Sequence, residues 1–413
     1  MGVALKVVIN AASAKIGGAV NYLEHLLRHL PPRESEYEFF VFLPSETARG
    51  LDGVPASIKL CSVPDKKISG WRRVWWEQIT LRRFLRRTKV DLLFSTANFA
   101  MFRCPVKQIL LVRNTLYFSQ IYQQTFLPRQ SLKMRIAFTL RRWMICRGVK
   151  SADCVMTPTQ AMLEELRQYV EVPDCKAVVN PYGVEPPDSK GTKPVTRVRG
   201  YASVPQRAIS LLYISLYAEH KNLMTLLKAL PLLNKDRNCK FLLKTTVNPH
   251  WEAASRVLTQ ADDISLAGRQ DIAAWVEFAG PLGQKEIEEQ YRNADIFVFP
   301  SITESFGHPM AEAMAHGLPV VAADTPVNRE MCGDAAIYFS PLEPDLLAQA
   351  IHLVASDPQL QRKLGLEGRR RVRTAFMWVT HLRRILEIAQ AGNPHYEQSP
   401  VAAASIERVG RCI

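Results

Sequence analysis

Two glutamates separated by seven residues bracket the most chemically readable segment of this 413-residue chain, ADIFVFPSITESFGHPMAEAMAHGLPVVAAD at 294–324. Its apolar run Ile296–Phe299 reads as a buried strand that Pro300-Ser301 ends. Pro309 suits the first turn of a helix, where its missing N–H is not needed. Gly317 suits the C-terminal cap, and Pro319 prevents continuation. The spacing therefore predicts a short helix over about 309–316 whose first turn faces the loop 301–308. Gly307 lets the backbone come close to a ligand, and free N–H groups at a helix start can accept an anion. Glu304 lies in the loop and Glu312 near the helix start. A carboxylate can accept two hydroxyl hydrogen bonds, which suits the vicinal diol of a ribose or a hexose. A helix start between two such acids suits a phosphate flanked by sugars.

Polar residues elsewhere fall at comparable places. In SLYAEHKNLMTLLKALPLL (215–233) Lys221 stands just before a helical pattern that Asn222 could cap. Gly17-Gly18 follows the first strand and precedes a helix. Arg113 and Asn114 follow the strand within LLVRNTLYF (110–118).

The elements that must position these residues form two series. In the first half, Val3–Ile9, Glu38–Leu43, Ile58–Val63, Asp91–Ser95, Gln108–Val112, Asp153–Thr157 and Lys176–Val179 read as strands. Helical patterns follow at 20–30 and at about 71–87, 131–148 and 159–170. Between Pro181 and about Ala208 the stretch PYGVEPPDSKGTKPVTRVRGYASVPQ is rich in Pro and Gly and has no period. A second series follows: strand 209–215, helix 223–233, strand 240–244, helix near 251–260, strand 276–279, helix 284–293, strand 295–299, the short helix, strand 319–322, then helices at about 343–355, 359–374 and 377–390. Strands covered by helices on both faces give a parallel, doubly wound α/β sheet. The expected plan is a first domain over 1–185, a linker or loop over 186–207, a second domain over 208–376, a helix 377–390 that packs back on the first, and a tail over 392–413. Two such domains imply a cleft between them where a ligand binds.

At Glu304-x7-Glu312 the pattern F-x-F-P-S-x-x-E-S-F-G-x-P-x-x-E-A-M-A-x-G-x-P-V-V-A resembles the nucleotide-sugar signature of the group 1 (family 4) retaining glycosyltransferases. The resemblance covers most of 209–380 and, more loosely, the first 180 residues. It implies the GT-B fold, two Rossmann-like domains facing a cleft, with the acceptor side in the first. It also implies a catalytic set of Glu304, Lys221, Arg113 and Asn114. Glu304 would contact the donor sugar and Glu312 would hold the ribose diol. Phe306 and Gly307 would offer backbone, with Ser305, Met310 and Ala311 alongside on the donor. Lys221 matches the lysine that neutralises the donor diphosphate. Leu216 stands where many relatives carry an arginine, so His220 or an arginine of the first domain would replace that cation. Gly17 and Gly18 resemble the family's glycine loop. Arg113 and Asn114 stand where relatives often carry a histidine, Arg113 to offset diphosphate charge and Asn114 to hydrogen-bond the sugar. NPYGVE (180–185) resembles the interdomain turn.

The absence of any D-x-D fits charge neutralisation by Lys221, a helix N-terminus and Arg113. Neither a metal nor another cofactor is expected, the nucleotide sugar being a substrate. The resemblance implies retention of configuration, and no second carboxylate in the first domain stands out as a nucleophile. Front-face attack with the departing phosphate as base follows.

Composition bounds the partners. At 47% hydrophobic and 22% charged residues the chain is not mainly disordered. Eight scattered cysteines without a CxxC argue against a structural zinc or a disulfide framework and for a reducing cytoplasm. No apolar run reaches the ~18 residues that cross a bilayer, and MGVALKVVIN reads as a strand rather than a signal peptide. Residues 1–200 hold 31 basic and 16 acidic residues, the remainder 22 and 23, and 66–150 alone holds 19 and two. Such an asymmetry points to an anionic partner. WRRVWWEQITLRRFLRR (71–87) reads as a helix with Trp71, Val74, Trp75, Leu81 and Leu85 on one side. With SLKMRIAFTLRRWMICRG (131–148) it reads as a surface for anionic lipid.

These readings converge on an expected enzyme, peripheral on the inner face of a membrane, that moves a hexose to a lipid-linked or polysaccharide acceptor. Two alternatives differ in class. A nucleic-acid-binding protein fits the charge, but the basic stretches carry no helix-turn-helix, RNP or finger motif. A two-domain ligand-binding protein without chemistry would be favoured by a secretory signal.

Overall fold

The structure, a computed structural model, describes residues 5–15, 17–31, 36–51, 54–55, 58–63, 70–187, 208–235, 239–248, 250–252 and 257–391. Most of the expected linker and the tail from 392 lie outside the described residues. The chain divides into two compact units. The first comprises Met1–Phe118, Ile136–Gly183 and Trp378–Ile413, and the second Ser119–Arg135 and Val184–Met377.

In the first unit seven strands form one parallel sheet: β1 (Leu5–Asn10), β2 (Tyr37–Pro44), β3 (Lys59–Val63), β4 (Leu92–Ser95), β5 (Lys107–Leu111), β6 (Cys154–Thr157) and β7 (Ala177–Val179). Their order is β3-β2-β1-β4-β5-β6-β7. The second unit repeats the plan with β8 (Ala208–Tyr213), β9 (Lys240–Thr245), β10 (Val276–Phe278), β11 (Ile296–Phe299), β12 (Val320–Ala323) and β13 (Ala336–Phe339), in the order β10-β9-β8-β11-β12-β13 and again parallel. Helices cover both faces, so strands such as β4, β11 and β12 are buried along their whole length. Their near-continuous apolar runs follow from that burial. In each sheet the winding reverses between two neighbours, β1 and β4 in one and β8 and β11 in the other. The connections leaving their carboxyl ends diverge there and open a crevice.

The second unit's core joins Leu211, Leu226, Leu230, Phe241, Val298, Val321 and Ile351. The first unit has two clusters. One gathers Leu110, Ile145, Val149 and Met162, and the other Val8, Phe40, Leu81 and Leu85.

Four expectations change. The strand β13 and the helix Pro326–Cys332 were not foreseen, because AIYF is too short to show a period. The helix expected near 251–260 instead starts at Gln260 and ends at Ala267. Residues 119–135, assigned by sequence order to the first domain, group with the second unit. Finally, the helix from Gly70 to Thr88 is interrupted by a π-helical stretch, Trp76–Leu81. A wider turn shifts the register, so Leu81 and Leu85 enter the core while Trp75 stays exposed. The single apolar side expected for 71–87 therefore does not form.

The helix Trp378–Gln390 belongs to the first unit and buries Trp378, His381, Leu382 and Ile385. It lies so close to the 180–185 turn that a Cβ on Gly183 would sit 2.2 Å from the Trp378 nitrogen.

Candidate active site

At the reversal point of the second sheet the loops after β8 and β11 are laced together. The β8 loop tightens into a 3-10 turn, Glu219–Lys221, and Asn222 follows in the left-handed region at φ 57°. The Ile302 N–H donates to the His220 carbonyl (3.0 Å), and Asn222 Nδ2 donates to the Pro300 carbonyl (3.1 Å). The Tyr213 hydroxyl donates to the Lys221 carbonyl at 3.0 Å. Asn222 occupies the N-cap position of the helix Leu223–Leu233 but makes no side-chain cap bond. The expected capping is thus replaced by a tie between loops.

That lacing brings two of the expected residues together. Lys221 Nζ donates to Glu304 Oε1 at 2.5 Å, and Ser301 Oγ donates to the same oxygen at 2.7 Å. Both side chains retain a little exposure, 21% for Lys221 and 12% for Glu304. The site thus offers a cation held next to a carboxylate, both reachable from outside.

One turn further on, the helix spans His308–His316, with proline in its first turn and Gly317 at its C-terminal cap. Gly307 caps its start at φ 78°. A Cβ there would press on Phe299 and Met310 as well as forcing an unfavourable backbone. The Gly307 carbonyl accepts from both the Met310 and Ala311 N–H groups (3.0 and 3.1 Å), and Pro309 has none. Those two N–H groups are therefore committed within the helix and not offered to an anion. The side chains of Phe306, Met310 and Ala311 are buried. The side chains of all three are thus spent on packing, Phe306 meeting Phe376 edge-on, which leaves to Phe306 the backbone role expected of it. Ser305 lies in the loop beside them, half-buried.

Glu312, half-buried, lies on the next turn. The Tyr291 hydroxyl is 2.8 Å from Glu312 Oε2 and 3.0 Å from the Pro309 carbonyl. Burial and the adjacent carboxylate raise that phenol well above its usual pKa, so it stays protonated and can donate. From outside, the helix Pro358–Ala375 clamps this turn. A Cβ on Gly365 would lie 2.4 Å from the Gly317 carbonyl, and Arg369 donates to the His316 carbonyl at 2.7 Å.

His220 does not replace the absent arginine. Burial lowers its pKa to about 4, with neighbouring Lys221 adding to the effect, so near pH 7 the ring is neutral. Leu216 itself is exposed.

Sequence reading missed Glu219. Buried at the start of the lysine turn, it accepts from the Tyr122 hydroxyl (2.8 Å), Gln130 Nε2 (3.0 Å) and the Leu258 N–H (2.9 Å). It fastens the Lys221 turn to the segment 119–135. No local pattern announces it, because its partners lie 39–97 positions away. Tyr291 was missed because its partners lie 18 and 21 positions away, and Ser301, three residues from Glu304, reads in the sequence only as the end of the strand.

In the first unit the expected residues meet differently. Gly17 caps the helix Gly18–Arg28 at φ 60°, ψ −144°, a conformation open almost only to glycine. Arg113 Nη2 donates to the Gly18 carbonyl at 2.7 Å, and its guanidinium lies 5.2 Å above the Tyr22 ring. The Tyr22 hydroxyl in turn meets His381 Nε2 at 2.9 Å, and His381 Nδ1 lies 3.0 Å from the Pro181 carbonyl. A carbonyl only accepts, so the ring proton is on Nδ1 and Tyr22 donates. Asn114 Oδ1 accepts from the Leu116 N–H (3.1 Å) and caps the turn Thr115–Tyr117. Its amide oxygen is thus engaged with backbone, which leaves the amide N–H₂ for the sugar contact expected of Asn114. Asn98, unforeseen, accepts from the N–H groups of both Arg113 and Asn114 (2.8 and 3.1 Å) and sets the loop they occupy.

Comparison with known proteins places these features in a family. The model for glycosyl transferases group 1 matches residues 202–371, and that for Glycosyltransferase Family 4 matches 16–187. Among curated proteins, the O-antigen chain mannosyltransferase B of Escherichia coli is 30% identical over 142 residues, 34% of this chain and 35% of that protein. The D-inositol 3-phosphate glycosyltransferase of Thermomonospora curvata is 30% identical over 237 residues, 54% of each chain. This chain thus matches only about a third to a half of those relatives' length. Among solved structures, the sucrose-phosphate synthase of Thermosynechococcus elongatus superposes with a TM-score of 0.70 at 17% identity, covering 94% of this chain and 98% of that one. Anabaena Alr3699/HepE in complex with UDP-glucose gives 0.64 at 16%, covering 94% and 100%. At these identities the likeness establishes the fold: two Rossmann-like α/β domains of the GT-B type.

Proposed function

Because the chain belongs to the group 1 glycosyltransferases of family 4, we propose that it moves a hexose from a nucleotide diphosphate sugar to a lipid-linked or glycan acceptor, with retention of configuration. The observation that carries this reading is the Lys221–Glu304 pair at the carboxyl ends of β8 and β11. Glu312 follows on the next helix, oriented by Tyr291. One cation and two oriented carboxylates beside a helix start match a diphosphate with sugar hydroxyls on either side. The solved complexes of Alr3699/HepE with UDP and with UDP-glucose support a donor of that class.

In this reading Lys221 stabilises the charge that gathers on the diphosphate as the bond from sugar C1 to phosphate oxygen breaks. The acceptor oxygen bonds to C1 on the same face, and its proton passes to the departing phosphate oxygen. Glu304 holds Lys221 and takes a sugar hydroxyl, while Glu312 takes the ribose diol. Arg113 presents its charge beside the glycine turn. The basic first half supports a reading in which the enzyme works at an anionic membrane surface on the cytoplasmic side; no helix among the described residues is long and apolar enough to cross a membrane.

The test is thermal unfolding with UDP-, GDP- and ADP-sugars in turn. One set should raise the midpoint in proportion to the logarithm of its concentration, and Lys221→Ala should abolish that rise. No stabilisation by any nucleotide sugar would remove the proposal.

A further inference from the structure

The helix Leu132–Ser151 carries two apolar faces, and only one is used. Phe138, Ile145, Gly148 and Val149 are buried in the first unit, with Ile145 and Val149 in the cluster that holds Leu110 and Met162. On the other side Leu132, Ile136, Leu140 and Trp143 are 71%, 60%, 43% and 60% exposed. Their spacing of four, four and three residues is that of a stripe facing a core. At 3.6 residues per turn they share about 80° of arc with Arg147 and Lys150, and Lys133 lies at the edge. The helix contains no acidic residue.

Four large apolar side chains in water carry a penalty that only an occupant removes. A second copy of the chain is a poor occupant. A two-fold contact would set Lys133, Arg147 and Lys150 against themselves with no acid on the face to pair them. Nucleic acid offers phosphates for the cations but no apolar environment for a Leu-Ile-Leu-Trp stripe. A bilayer interface with anionic headgroups offers both, as acyl chains for the stripe and phosphates for the cations. Trp143 and the long basic stems suit that boundary.

We propose that this outer face is the membrane-docking surface of the protein and lies flat on anionic phospholipid. The inference rests on the reading that the basic first half faces an anionic membrane, and it commits that reading to one helix. The other basic helix, Gly70–Thr88, spends Leu81 and Leu85 on the core.

Sedimentation with vesicles of equal phosphatidylcholine and phosphatidylglycerol, and with phosphatidylcholine alone, tests it. The wild-type chain should bind the mixed vesicles and only weakly the neutral ones. Leu140→Glu with Trp143→Glu should lower partitioning at least ~10-fold. Replacing Lys133, Arg147 and Lys150 by Gln should lower it comparably and remove most of its salt dependence. These positions are exposed, and unchanged thermal stabilisation by the donor sugar would show that fold and donor site persist in the variants. Wild-type binding that survives both sets of substitutions would overturn the assignment to this face and leave membrane attachment standing. Absence of wild-type binding to either vesicle would overturn both, without touching the sugar-transfer reading. A wild-type dimer that the double glutamate variant converts to monomer, with vesicle binding unchanged, would identify a self-contact and likewise overturn the proposal.

Discussion

The reversal points of the two sheets are built on the same topology and use their polar residues in opposite ways. At β8/β11 charged side chains meet one another: Lys221 and Glu304 pair, with Ser301 on the same oxygen. Behind them Glu219 gathers three donors. In the first unit, Asn10 at the end of β1 meets Glu77, but the residues after β4 and β5 that flank the glycine turn serve the backbone. Arg113 holds the Gly18 carbonyl, Asn98 holds the two N–H groups of the Arg113 loop, and Asn114 caps a turn. At this place the second unit thus pairs a cation with a carboxylate, while the first sets a single cation against a glycine turn.

If that contrast is correct, substitutions should separate the two units. Lys221→Ala and Glu304→Ala should each lower kcat by about 10²–10³-fold, the scale of losing one group that stabilises developing charge, as measured by initial rates of sugar transfer. Near-wild-type rates in both would dissolve the contrast. Gly17→Ala should instead act on folding. Its backbone is open almost only to glycine, and about 1–3 kcal/mol of stability should be lost in urea titration. Glu219→Gln removes the negative charge and one of its acceptor oxygens. Donor KM should rise about 5–10-fold, in line with roughly one net hydrogen bond, while kcat stays within about twofold. An equal fall in kcat would mean that Glu219 does more than position the lysine turn. Tyr291→Phe should have a smaller effect of the same kind, raising donor KM about 3–5-fold by freeing Glu312.

The smallest expected effect is on pH dependence. The pKa of buried His381 is lowered to about 4. Between the unfolded value near 6.5 and about 4, the unfolded chain binds a proton that the folded chain refuses, so this contribution to stability falls as pH falls through that window. Glu165, raised by burial to about 7, acts in the opposite sense between about 4.5 and 7. A difference measurement is therefore needed. His381→Gln should lose less stability than wild type on going from pH 6.5 to 4, and an identical slope would refute the assignment.

Local signals in the chain were strong wherever a residue's job depends on its neighbours in sequence. Pro309, Gly317 and Pro319 fixed the extent of the short helix to within one residue, since backbone conformation is a local property. Period-two and continuous apolar runs located twelve of the thirteen strands among the described residues. The positions of Lys221, Glu304 and the diglycine were legible as strand-to-helix loops, and that of Glu312 as part of the short helix that follows one, because both follow from local pattern. What depends on environment was not legible. His220, one of two candidates for the missing cation, is neutralised by burial, and the N–H groups of Met310 and Ala311 close on the Gly307 carbonyl.

What the amino-acid order determined unaided was the doubly wound plan, the loops that carry polar groups, and the excess of positive charge in the first half. Only the folded chain decided which of those groups meet. Ion pairing, desolvation and the choice between a buried and an exposed helix face arise from residues tens of positions apart. Lys221 and Glu304, 83 residues apart in the chain, are joined because β8 and β11 are neighbours in the sheet. The outer stripe of Leu132–Ser151 stays open because the core is already filled from the opposite face of the same helix.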